Sequence, residues 1–161
     1  KRALRSVAQR WLALRDEIAE LSRDIKQLLD TIAAPMLERH GVGYETAATL
    51  LCAAGDNPER LHTEAGYAAL CGSAPVRVSS GKTNRHRLNR AGDRQANSAL
   101  WTIVMVRIRS NHEPTIAYLE RRTEQGRTKR EAIRCLKRYV ARETYNDIRA
   151  IITNARHQIA A

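Results

Sequence analysis

Residues 71–93 read Cys71-Gly72-Ser73-Ala74-Pro75-Val76-Arg77-Val78-Ser79-Ser80-Gly81-Lys82-Thr83-Asn84-Arg85-His86-Arg87-Leu88-Asn89-Arg90-Ala91-Gly92-Asp93. Two serines stand directly before a glycine, in a segment too polar and too rich in turn formers for a helix interior. Arg77, Lys82, Arg85, Arg87, Arg90 and Arg94 surround them, and Asp93 is the one acid nearby in sequence. A hydroxyl among that many cations suits a phosphodiester. Arg and Lys neutralise the phosphate, and glycine lets backbone approach it closely. The same residue types would also make a solvated basic loop whose serines only satisfy turn geometry. The surrounding chain tips the balance toward phosphate.

The 161 residues carry a formal net charge of +11 with 43% hydrophobic content. That length fits one compact domain with an appendage, and the apolar fraction is enough for a core beneath the charge. Such a balance favours polyanions. No run of about 18 apolar residues exists, and no basic amphipathic stretch carries bulky aromatics, so a membrane is not the expected partner. Cys52, Cys71 and Cys135 are odd in number and lack Cys-x-x-Cys spacing, as expected of reduced core thiols in a cytosolic protein. His40, His62, His86, His112 and His157 do not complete a ligand set with them, so no metal site is expected in this chain. The chain opens Lys1-Arg2, with no initiator Met and no signal-peptide core, and is expected to be part of something longer.

A second motif that could meet phosphate precedes the serines. His40-Gly41-Val42-Gly43-Tyr44-Glu45-Thr46-Ala47-Ala48-Thr49-Leu50-Leu51 has the form of a helix-hairpin-helix over about 36–55. Gly41 and Gly43 permit a tight turn that exposes amides at the start of the next helix, where an anion is favoured. An ordinary glycine turn between helices has the same local form.

The elements that must position these groups are helical. Leu4, Val7, Trp11, Leu14, Ile18, Leu21, Ile25, Leu28 and Ile32 follow alternating steps of three and four, an unbroken heptad seam that Pro35 ends. A helix of roughly 45 Å is too long to hide against a small domain. It reads as a self-association arm over 1–35, parallel or antiparallel, ahead of a compact helical domain over 36–161. Gly55 stops the helix after the hairpin, Asn57-Pro58 restarts the chain, and a short helix through Tyr67, Ala68 and Leu70 ends at Gly72. The serine loop occupies about 73–92, with at most a short extended piece at 76–78. Ala96 to Ile108 is apolar nearly all round and reads as the centre of the core, with Trp101 and Met105 packed inside it. Pro114 opens a helix that closes at Gly126. Thr128-Lys129-Arg130-Glu131 is a capping box for a long last helix. The first half of that helix carries Arg127, Lys129, Arg130, Arg134, Lys137, Arg138 and Arg142, a second basic surface that reads as one wall of a nucleic-acid channel. The fold class is therefore all-α.

The order of helical linker, Gly-Val-Gly hairpin, Ala-Ala-Leu-Cys-Gly-Ser-Ala-Pro, Arg77, Ser80-Gly81, basic run to Arg90-Ala91-Gly92 and long apolar helix resembles a known family. It is similar to the C-terminal transposase domain of the DEDD-type insertion-sequence transposases, the bridge-RNA-guided serine recombinases. The resemblance runs from the heptad helix to the last helix and is most specific over Gly72 to Gly92. It implies that Ser80 is the nucleophile that breaks and rejoins DNA strands, with Ser79 a neighbour. Arg77, Lys82, Arg85, Arg87, Arg90 and Arg94, with Gly41 and Gly43, are then expected to hold phosphate. DNA, a structured guide RNA and a second copy of the chain are the implied partners, in a bacterial cytoplasm at the nucleoid. The family's acidic nuclease-like domain is not in this sequence. Mg²⁺ is expected there, and the fragment alone is expected to be inactive. A non-enzymatic, dimeric helix-hairpin-helix protein that binds DNA or RNA would use the same hairpin, charge and heptads.

Overall fold

The computed structural model describes residues 1–55, 61–80, 83–87, 89 and 91–160, with side chains undescribed at 77, 79, 80, 83–86, 156 and 158–160. Seven helices dominate the described residues: α1 Arg2–Ile32, α2 Ala34–Leu37, α3 Tyr44–Ala54, α4 Glu64–Leu70, α5 Arg94–Arg109, α6 Glu113–Glu124 and α7 Lys129–Ala160. The all-α reading holds, as does a long first helix followed by a helical bundle. Asn57 and Pro58 lie outside the described residues.

The heptad helix stands apart from the bundle. Along α1 only Leu29 is buried, and it is not a seam residue. Leu29 and Ala33 enter the core, Tyr44 of α3 donates its hydroxyl to Asp30 Oδ1 at 2.8 Å, and Lys26 lies 5.4 Å from the Tyr44 ring centroid, so only the C-terminal end docks the helix. Every residue of the seam stays in solvent, from Leu4 at 76% exposure to Leu14 at 39%. Pro35 falls in the first turn of α2 rather than inside a helix, where its missing N–H costs nothing.

α5 is the central element, packed against α3, α6 and α7. Ala96, Ala99, Leu100, Ile103 and Val104 are buried. The expectation of an all-round buried helix needs correcting at Trp101, which is 47% exposed, and at Val106. Three neighbouring helices cannot cover every face of α5, and these two side chains fall on the open side. Cys71 is buried and Cys135 half-buried, whereas Cys52 is exposed on α3, so the three cysteines are not all core thiols.

Local signals fix the helix ends. Gly55 and Gly126 have φ of +72° and +74°, the left-handed geometry that stops a helix without Cβ strain. Thr128 and Glu131 form the expected capping box: Glu131 Oε2 accepts from Thr128 N–H at 3.0 Å, and Thr128 Oγ1 accepts from Glu131 N–H at 3.3 Å. The Thr128 N–H and hydroxyl both donate to the Glu131 carboxylate and hold it below the usual carboxylate range.

The serine segment differs from its expected form. In place of an irregular loop, β1 Val76–Ser80 and β2 Thr83–Arg87 pair antiparallel as a two-stranded ribbon. Only Val76 and Val78 alternate as strand residues should, so the basic, polar composition hid the second strand.

Candidate functional site

The ribbon leaves the bundle through one clamp. β1 follows α4, whose last turn is drawn tight as Gly72 N–H donates to Ala69 O and Ser73 N–H to Ala68 O. β2 returns to α5 through Gly92 and Asp93. Asp93 N–H donates to Leu70 O at 2.7 Å, which ties the returning arm to the departing one. Gly72 and Gly92 have φ of +61° and +107°. A Cβ on Gly92 would lie 2.7 Å from both Ala69 O and Leu70 O, so only glycine fits where the two arms touch.

Side chains complete the clamp. The Asp93 carboxylate caps α5 by accepting from Ala96 N–H at 2.7 Å. This acid near the serines is therefore a structural cap. Asn97 Nδ2 donates to Cys71 O at 2.8 Å, and Lys137 Nζ donates to Asn97 Oδ1 at 2.6 Å. Lys137 is 6% exposed. Burial, together with the nearby Arg134, pushes its pKa down. Burial likewise pushes the Cys71 thiol up to about 11, so this cysteine is held as the thiol. No local pattern marks Asn97 or Lys137 as anchors, because their partners come from other elements of the fold.

Ladder register sorts the predicted site residues. Ser80 pairs with Thr83 at the outer end, Ser79 with Asn84, Val78 with Arg85, Arg77 with His86, and Val76 with Arg87 nearest the bundle. Strand positions alternate between faces, so 78 and 80 share a ribbon face with 83, 85 and 87, while 77 and 79 share the other with 84 and 86. Arg85 and Arg87 thus occupy register positions in the Ser80 set, and Arg77 belongs to the Ser79 set. Five residues of strand span roughly 17 Å, which sets Ser80 well away from the clamp. Among the described residues no helix packs along the ribbon. Arg87 and Arg94 are exposed. Gly81, Lys82 and Arg90 lie outside the described residues.

The glycine hairpin sits elsewhere. Gly41 has φ of +84°, and a Cβ there would lie 3.0 Å from Arg107 Cγ and 3.1 Å from Ile103 O. Its glycine is demanded by packing on the C-terminal half of α5. Gly43 is exposed at the N-cap of α3, and its N–H donates to Thr46 Oγ1 at 3.0 Å. Val42 N–H donates to Arg39 O. Two of the hairpin amides are thus already bonded within the chain, and Glu45 sits in the first turn of α3. The ribbon joins α5 at its N-terminus, so the two candidate phosphate sites are separated by roughly 18 Å of helix. They are not brought together.

The basic face of α7 is also divided. Arg138 pairs with Glu64, Arg142 Nε lies 3.5 Å from Glu64 Oε1, and Arg127 makes an i,i+4 pair with Glu131. With Lys137 buried, several of the cations proposed to line a channel bind α4 or their own helix. Lys129 and Arg130 remain exposed.

Among the described residues no group of three or more His, Cys, Asp or Glu could hold a metal ion, and no helix is long and apolar enough to cross a membrane. The family model for the IS116/IS110/IS902 transposases matches residues 34–120, which run from α2 through hairpin, clamp and ribbon into α6. No curated protein matches the chain.

Proposed function

The chain belongs to the IS116/IS110/IS902 transposase family, and we propose that it is the part of such an enzyme that carries a serine nucleophile to DNA. The observation that supports this most is the ribbon: Ser80 occupies the outermost ladder pair, and the base of the ribbon is fixed by Gly72, Gly92, Asp93 and Asn97. A hydroxyl on an arm clear of its own bundle suits a group that must enter a site completed by another domain.

In the proposed step the Ser80 oxygen attacks a DNA phosphorus, and the bond to the departing strand's oxygen breaks. A phosphoserine ester holds one strand end while the freed end keeps its hydroxyl. Attack by a strand hydroxyl on that ester reverses the step, rejoins DNA and returns the serine. The serine proton needs an acceptor, and the departing oxygen needs a proton. Asp93 caps α5, and the described residues supply no carboxylate set for Mg²⁺. We assign both roles, and Mg²⁺, to the acidic nuclease-like domain of a DEDD-type, guide-RNA-directed recombinase. Arg85 and Arg87, in the Ser80 register set, and Lys82 are the cations for the attacked phosphate. Gly41, Gly43, Arg77, Arg90 and Arg94 contribute backbone contacts to DNA at other points. The exposed seam of α1 pairs with a second copy, so that two serines address two DNA ends.

Full-length transposase with Ser80→Ala should lose both the covalent protein–DNA adduct and strand exchange, with duplex binding within a few-fold of normal. Ser79→Ala should keep all three. Strand exchange surviving in Ser80→Ala would sink the assignment.

A further inference from the structure

The chain has two tryptophans, five tyrosines and no phenylalanine, so two tyrosines in one cleft are a large share of its aromatic surface. Tyr118 of α6 and Tyr139 of α7 meet edge to face with ring centroids 5.4 Å apart. A cleft of about 310 Å³ opens beside them, at the lower end of the range for small-molecule sites. Val104, Leu136 and Val140, all buried, form its apolar floor. Tyr139 remains 44% exposed at its wall.

Arg121 lines the cleft, and Arg122 and Arg142 flank its two tyrosines from outside the lining. Arg121 lies 5.3 Å and Arg122 6.0 Å from the Tyr118 ring centroid, and Arg142 lies 5.8 Å from that of Tyr139. At the polar end Arg107 holds Glu143 through bonds of 2.7 and 3.3 Å, and His112 Nδ1 sits 2.9 Å from Thr115 Oγ1. The cleft thus offers a flat aromatic wall, an apolar floor, a cationic rim and polar groups at one end.

We infer that this cleft receives one unpaired base of a single-stranded nucleic acid, stacked on Tyr139, with a flanking phosphate at Arg121. The walls call for a planar, apolar-faced occupant, and the rim calls for one tethered to anions. A base on its sugar-phosphate chain is both, and the net charge of +11 draws such a polymer in. A base inside a duplex is stacked on both faces and tied to its partner, and a terminal base pair is too wide for a cleft of about 310 Å³, so duplex is disfavoured. Glu143 supplies acceptors and Arg107 donors for the base edge. Arg107 also donates to His40 O at 2.8 Å, so the cleft adjoins the glycine hairpin. The inference rests on the reading of the chain as a nucleic-acid-handling part of a transposase, and not on Ser80.

The test measures binding of the chain to single-stranded DNA, single-stranded RNA and blunt duplex of equal length, with 2-aminopurine stepped along the single strands. Single strands should bind with quenched 2-aminopurine fluorescence. Tyr139→Ala should weaken that binding about five- to a hundredfold and abolish the quench, Tyr139→Phe should keep both, and duplex affinity should not move. Whichever of the two single strands loses affinity in Tyr139→Ala identifies the source of the base. Equal single-strand affinity and quench in Tyr139→Ala would overturn the inference. So would self-association of the chain that Tyr139→Ala abolishes, since a second copy would then fill the cleft. Duplex binding with no single-strand quench overturns the cleft alone, whereas failure to bind any nucleic acid overturns the transposase reading beneath it.

Discussion

A Cβ placed on Gly92 would lie 2.6 Å from the amide nitrogen of Gly72, closer than any side chain can stand. The departing and returning arms of the serine ribbon touch there through backbone, so two glycines let the arms close and Asp93 and Asn97 complete the attachment.

Gly92→Ala should therefore cost about 1–3 kcal/mol, since it adds both a clash with backbone and a side chain at positive φ. Gly43→Ala, at ordinary φ with nothing within 4 Å of the added Cβ, should cost only the weaker N-cap preference of alanine, about 0.5–1 kcal/mol. Urea midpoints rank the two. Limited proteolysis should cut the Gly92 variant first within residues 72–92.

Lys137 and Asn97 should show strong coupling. Asn97→Leu removes the partner of a buried ammonium and the donor to Cys71 O, with an expected loss of about 1–3 kcal/mol. Adding Lys137→Met removes the stranded charge and should recover part of that loss. A double-mutant cycle by chemical denaturation measures it. Simple additivity would mean that the lysine does not depend on the asparagine.

The α1 seam should make the chain self-associate. Burying a Leu or Ile side chain contributes about 1.5–3 kcal/mol, and nine apolar seam residues stand unburied. Changing Ile18 and Ile25 to Asp should give a monomer by sedimentation while the helical bundle keeps its unfolding midpoint, because neither residue touches the core. An unmodified chain that sediments as a monomer at high concentration contradicts the pairing.

His112 should make stability fall on mild acidification. Its ring stacks on His40 with centroids 4.7 Å apart. Burial first, then Arg107 and His40, holds its pKa below the usual 6.5, outweighing the opposite pull of Glu143. A histidine with a depressed folded-state pKa is protonated more readily when unfolded. Its contribution is thus complete above about 6.5 and declines as pH falls from there through the lower folded value. Midpoints between pH 7.5 and 5.5 should fall less steeply for His112→Asn than for the parent chain.

Much of the helical frame was legible because its causes are local. Gly55 and Gly126 stop helices by left-handed geometry within one residue, the Thr128–Glu131 box spans one turn, and the α1 seam follows from helical periodicity alone. The basic, serine-bearing composition of 73–92 was equally plain. Tertiary structure decided the rest. A two-stranded ribbon exists only where both arms pair, so neither β2 nor the register grouping Ser80 with Arg85 and separating it from Arg77 could be read from one strand. Gly41 has the local form of a turn glycine in sequence, whereas its close fit against Ile103 and Arg107 depends on how the hairpin meets α5. Trp101 looks like core until the number of helices around α5 is known. Lys137 looks like a solvated charge until α7 lays it against Asn97. Periodicity, caps and composition act within a few residues of chain, whereas burial, pairing and clefts are set by which distant residues the packed helices bring together.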